Sequence, residues 1–234
     1  MTISQMSLKI DTSPKQIAKW VAIGLLGIFV LVYFIRVASY EADYYPRMDG
    51  SERAISSVET IEIEELEEDE PTEQQVSTYT VPADRPRYLH IPTLELYNVR
   101  IIGVGVDASG ALATPRNIHD VGWYTSSGKP GEGKTMVIDG HNGGPTKQGV
   151  FKKIPQLKEG DQFVIERGDG VKYTYSVYDN VTVPLEEANK YMVKAMHSPV
   201  SGTESVTLIT CTGEWSQTRG TYLSRQFLRA ILVK

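Results

Sequence analysis

From residue 86 onward the chain is interrupted every few residues by a turn signal, and this punctuation constrains its fold more than any other feature. Apolar and β-branched residues occur in short segments: 88–91 closed by Pro92, 99–106 closed by Asp107-Ala108-Ser109-Gly110, and 163–166 set against 171–177 across Arg167-Gly168-Asp169-Gly170. Segments this short, bounded by such residues, predict strands joined by tight connections. An all-β barrel or sandwich is therefore expected, with helix confined to 150–157 and 185–196. Periodicity alone does not separate the two architectures. The hydrophobic content of 41% suffices for one core in a chain of 234 residues.

The first third follows different rules. Residues 20–35, WVAIGLLGIFVLVYFI, are uncharged, and Ile17 and Ala18 extend the apolar stretch to a length that crosses a bilayer. Residues 17–36 are expected to be a transmembrane anchor. A cleaved signal peptide has a shorter apolar core and a small-residue cleavage site, for which Val37-Ala38-Ser39 is a poor match. Lys9, Lys15 and Lys19 precede the span against Asp11 alone, so residues 1–16 are expected in the cytoplasm and everything after the span outside the cell. Nine acidic residues then fall within 59–73, and Pro71 interrupts any helix there. This composition reads residues 37–85 as an acidic flexible linker, spanning about 40 Å r.m.s. as a coil. A second reading folds the acidic segment against the rest of the chain as a lid, because residues 1–85 carry a net −8 and residues 86–234 a net +3. No basic stripe with interleaved aromatics exists, which excludes nucleic acid as an expected partner.

The chain holds one cysteine, Cys211, so no intramolecular disulfide supports the fold. Cys211 closes a strand-like run, 206–211, and Arg225 directly precedes another, 226–233. If the two strands pair, a thiol faces a guanidinium, an arrangement suited to acyl transfer through a thiolate with a fixed cation at the oxyanion. Such a thiol needs a histidine partner. Of His90, His119, His141 and His197, only His141 follows a strand into a glycine-rich frame, Asp139-Gly140-His141-Asn142-Gly143-Gly144. Asp139 is assigned to the opposite strand face from His141 and is given no role. The histidines are scattered, no paired-cysteine or HExxH pattern occurs, and no metal or cofactor is expected.

These motifs together resemble the sortases, membrane-anchored cysteine transpeptidases of bacterial surfaces. The resemblance rests on LITC at 208–211, GHN at 140–142, the arginine opening the last strand, PRYLHIPTLELYNVRIIGVG at 86–105 and VGWYTSSGKPGEGKTMVIDGHN at 121–142. It covers residues 86–234 and implies an eight-stranded β-barrel catalytic domain with a few short helices. It further implies Cys211 as nucleophile, His141 as acid and base, and Arg225 as the oxyanion stabiliser. The implied reaction cleaves a Leu-Pro-x-Thr-Gly-like sorting signal on a surface protein through a thioacyl intermediate. Transfer is then to an amine of a cell-wall precursor or a pilin lysine. Calcium, bound by some members, has no assignable ligands in this sequence. No second apolar span follows Val233, from which general anchoring rather than pilus assembly is expected. Arg219 and Arg229 are read as solvated surface charges, while Trp123-Tyr124 and Trp215 are candidates for either core or groove. A cysteine protease releasing peptide to water, and a catalytically silent membrane-tethered peptide-binding module, are the alternative functions.

Overall fold

A computed structural model describes residues 66–107 and 110–233. Eight strands close into a barrel in the order β1-β2-β3-β4-β7-β8-β6-β5. They are β1 Pro86–Ile91, β2 Leu96–Val104, β3 Val121–Tyr124, β4 Thr135–Gly140, β5 Gln162–Arg167, β6 Lys172–Pro184, β7 Ser205–Ser216 and β8 Thr221–Leu232. Closure settles the choice between barrel and sandwich by pairing β1 with β5, and it leaves no open sheet edge. Two neighbours run parallel, β2 with β3 and β4 with β7. Parallel neighbours need long crossovers. The β2–β3 crossover reaches the C-terminal end of β4, where the Pro115 carbonyl meets His141, and the β6–β7 crossover carries helix α2, Leu185–Ala195.

Alternation along β4, β7 and β8 divides their side chains cleanly. Met136, Ile138, Val206, Leu208, Leu228 and Ala230 face the barrel interior, where they pack with Phe151, Phe163 and Tyr175. Full burial of each large side chain contributes about 1.5–3 kcal/mol. The intervening residues face outward. Among these, Phe227 lies in a smaller cluster with Val183, Ala188 and Ala195, through which α2 covers the outer face of β8.

Three sequence expectations change. Residues 150–157 form only a 3-10 turn, Ile154–Gln156, because Pro155 lacks the N–H a longer helix needs, and Asn180 Nδ2 takes the carbonyls of Ile154 and Leu157. β7 does not end at Cys211 but continues to Ser216, and β8 begins at Thr221 rather than after Arg225. Their pairing shifts register between Thr212 and Trp215, where Gly213 adopts φ +84° and a Cβ would sit 3.1 Å from Ser224 Oγ. Glycine thus permits the bulge that carries the two strands beyond the barrel as a ribbon.

The third change concerns the linker. Within 37–85, residues 66–85 are held on the barrel rather than free. Helix α1, Glu73–Ser77, opens on a capping box between Thr72 and Gln75, Tyr79 Oη donates to the Ile101 carbonyl at 2.6 Å, and Glu67 bridges to Asn117. The composition argument failed here because these acidic residues find hydrogen-bond donors on the barrel. The expected cytoplasmic tail at 1–16, the anchor at 17–36 and the linker segment 37–65 lie outside the described residues. Among the described residues, no helix is long and apolar enough to cross a membrane.

Candidate active site

The parallel pairing of β4 with β7 sets Asp139 beside Ile209, and continuing that register by two residues sets His141 beside Cys211. Both follow the outward alternation of their strands. Thr210 Oγ1 fixes the level by donating to the Gly140 carbonyl at 2.7 Å, across the two strands. On the other side of β7, the antiparallel ladder pairs Cys211 directly with Arg225. Thiol, imidazole and guanidinium therefore come from three neighbouring strands, the imidazole from the residue just past β4, at one end of the barrel.

Cys211 and His141 line one cleft of about 660 Å³, whose walls include Trp215 and Tyr222 on the β7–β8 ribbon and Gly143 and Gly144 on the loop after His141. Trp215 is 49% exposed and meets Tyr222 edge to face at 5.2 Å. That geometry presents an aromatic wall to an incoming chain. Trp123, by contrast, belongs to the core, with its indole N–H donating to the Gly128 carbonyl.

His141 Nε2 donates to the Pro115 carbonyl at 2.8 Å. A carbonyl can only accept, so the neutral ring carries its proton on Nε2 and leaves Nδ1 as the basic nitrogen. Arg225 is tethered to the ribbon: Nη1 donates to the carbonyls of Tyr222 and Ser224, and Nη2 to Thr221 Oγ1. These bonds use three of its five N–H groups and hold the fork in place. Burial pushes the Cys211 thiol above its ordinary value, the Arg225 charge pulls it down, and Asp139 raises it again.

The other candidates separate from this cleft. His90 is in β1, His197 Nδ1 meets the Val193 carbonyl near the end of α2, and His119 Nε2 donates to the Glu68 carbonyl. Arg219 is half exposed and pairs with Glu186 at 2.7 Å. Arg229 corrects the reading as a solvated charge. It is 5% exposed and bonded through both Nε and Nη2 to Asp179. Arg225, Phe227 and Arg229 do share the outward face, but α2 covers its Arg229 end. Asp139 also needs correction, because it is two residues from His141, not one, and so lies on the same face.

Two features at the cleft lie outside the sequence motifs, and the first belongs to the acidic segment that the lid reading folds against the rest of the chain. Leu66, from the acidic segment, lines the cavity. Behind it Glu68 clamps the loop after His141, accepting from the Thr146 and Lys147 amides at 2.8 and 3.2 Å and from Thr146 Oγ1. Pro115, the acceptor for His141, sits in the β2–β3 crossover, whose path periodicity does not specify. Among the described residues, no group of three or more His, Cys, Asp or Glu side chains is placed to hold a metal ion.

The model of the sortase domain family matches residues 89–233. Sortase C-1 from Actinomyces oris is 25% identical, with 66% of this chain and 76% of that one covered and a TM-score of 0.47. A lid mutant of sortase A from Corynebacterium diphtheriae is 25% identical over 69% and 76%, with a TM-score of 0.48. Sortase C from Clostridium perfringens is 20% identical over 66% and 73%, with a TM-score of 0.44. A search of curated proteins finds no match. Because the family match spans more than half of the 234 residues and takes in Cys211, His141 and Arg225, the chain belongs to the sortase family.

Proposed function

We propose that this protein is a transpeptidase that cleaves a Leu-Pro-x-Thr-Gly-like sorting signal and passes the acyl part to an amine. The observation that carries this reading is the placement of Cys211 beside His141 in one open cleft on the outer face of the barrel, with Arg225 paired to Cys211 across the β7–β8 ladder. His141 takes the thiol proton, and the Cys211 thiolate attacks the scissile carbonyl carbon. The electron pair moves to the carbonyl oxygen, where the N–H groups of Arg225 not used by the ribbon stabilise the charge. Collapse breaks the C–N bond, and the departing amine takes its proton from His141. A thioester on Cys211 results. An incoming amine, from a cell-wall precursor or a pilin lysine, attacks that thioester, gives its proton to His141 and expels the thiolate.

The apolar segment at 17–36 serves in this proposal as a membrane anchor with its N-terminus in the cytoplasm, leaving the barrel outside. External protease on intact cells should then reach the acidic segment while residues 1–16 stay protected. A soluble mature form beginning near residue 40 contradicts the anchor. For the reaction, a sorting peptide incubated with and without an added amine separates transfer from hydrolysis. A product joined to the amine is expected, and free acid in equal yield under both conditions assigns the protein as a protease instead.

A further inference from the structure

Asp139 is 5% exposed, and neither of its carboxyl oxygens has a hydrogen-bond partner. No neighbouring side chain or strand donates to it, and only its own backbone amide favours the charged form. β3 places Gly122 opposite it, and a Cβ on Gly122 would overlap Asp139 Oδ1 while touching Pro115 Cδ at 3.0 Å and Val104 Cγ2 at 3.1 Å. The carboxyl therefore fills the space a side chain at 122 would take, against a proline from the crossover and a valine from β2. β7 contributes Ile209 at the same level and the Cys211 thiol two residues further on, the carboxyl's own segment contributes His141, and β8 adds Arg225 opposite Cys211. Arg116, next to Pro115, has its Nη2 3.9 Å from Glu67.

A buried carboxylate without donors costs several kcal/mol, and the usual resolution is that the group keeps its proton. Burial accordingly pushes the Asp139 carboxyl well above the usual carboxylate range. Its charge, once formed, acts directly on the nucleophile by raising the Cys211 thiol. Two anions compete for this site, and only one of them can start the reaction.

We propose that Asp139 works as an un-ionised acid that keeps its proton while Cys211 first becomes a thiolate, and that losing this proton opposes the thiolate and delays its full formation to higher pH. The proposal rests on the reading of Cys211 and His141 as the reacting pair. In each half-reaction the mobile proton passes between Cys211 or the amine and His141, and Asp139 exchanges none with substrate. It is a positioning residue in the electrostatic sense, acting through Cys211. The carboxyl and the thiol then titrate as a coupled pair, so the ionisation of Cys211 is spread over a wider pH range than that of a lone thiol.

Alkylation of Cys211 by iodoacetamide, followed by mass spectrometry across pH 6 to 10 on the full-length protein, tests this without any sorting peptide. Cys211 is the only cysteine, so a single adduct reports it. Failure of the transpeptidase reading would leave this measurement intact. Asp139→Asn should compress the titration into one step with a lower midpoint and raise the alkylation rate at pH 9.5 about three- to tenfold, the gain shrinking toward pH 6. Asp139→Leu should do the same and guards against misfolding of the amide variant. An alkylation curve that superimposes on the wild type overturns the proposal and leaves Asp139 structural. Turnover lowered a hundredfold at every pH in both variants also overturns it, because Asp139 would then act as an ionised partner of His141.

Discussion

Glu204 and Asp139 sit at opposite ends of the same parallel pair of strands, and each is 5% exposed. Glu204 accepts from the Gly131 amide at 3.0 Å, the Gly133 amide at 2.7 Å and the Tyr175 hydroxyl at 2.7 Å. Asp139 accepts from no other residue. Burial is common to both, so burial does not mark the functional residue; the supply of donors does. At the Glu204 end the barrel is closed by a satisfied carboxylate that ties the β3–β4 loop to the start of β7. At the Asp139 end an unsatisfied one lies behind Cys211, the nucleophile of the proposed reaction. A fold tolerates such an imbalance where stability is exchanged for reactivity.

The sharpest way to break this comparison is Glu204→Ala, which orphans two amides and a buried hydroxyl. It should cost about 3–5 kcal/mol in urea unfolding, with the activity of the remaining folded protein retained. A cost below about 1 kcal/mol would remove the distinction between the two ends. The two arginines of β8 extend the contrast. Arg225→Lys keeps a charge but loses the planar fork, and kcat/KM on a sorting peptide should fall about a hundredfold at little cost in stability. Arg229→Lys loses its two-point grip on Asp179 and should destabilise by about 1–3 kcal/mol while leaving turnover of folded protein unchanged. The opposite pattern would move the oxyanion role to Arg229.

Asp139→Leu should act in the reverse sense to Glu204→Ala, raising stability by about 1 kcal/mol. Its pH dependence follows from the raised folded-state value. Above about pH 4, where the unfolded carboxyl ionises, the folded state binds more protons than the unfolded one. Wild-type stability from this group therefore falls as pH rises toward the folded-state value and then levels off. The variant should lack that slope in denaturant titrations between pH 4 and 8. The smallest expected effect belongs to the acidic segment. Hydrogen bonds from Thr146 hold the Glu68 carboxyl below its ordinary value, so the clamp is in place at neutral pH. Glu68→Ala should loosen Leu66 from the cleft and raise kcat/KM no more than about threefold, as befits an exposed contact. No change would leave the segment a tether rather than a cover.

Much of this site was legible in the sequence for specific reasons. Cys211 is unique, His141 stands in a glycine frame, and a run opening on arginine follows the cysteine strand closely enough to pair with it. The short punctuated segments fixed an all-β class, and the resemblance supplied the barrel. What was not legible depended on coverage. Alternation placed Arg229 on the outer face but did not reveal that α2 lies over it. The acidic run at 59–73 read as solvated because the donors that hold Glu68 lie almost eighty residues away. Asp139 was missed through its face assignment, and its isolation depends on Gly122 and Pro115, which only the crossover path brings together.

The central claim is that Cys211 carries the acyl group, and the mass of the protein itself tests it most directly. Full-length protein should be mixed with a Leu-Pro-x-Thr-Gly peptide, quenched in acid within seconds and digested. The account predicts a mass gain equal to the peptide's acyl portion on the fragment bearing Cys211, discharged by hydroxylamine, absent from Cys211→Ala and strongly reduced in His141→Ala. Peptide cleavage that proceeds in Cys211→Ala, or an acyl group found on any other residue, would contradict it.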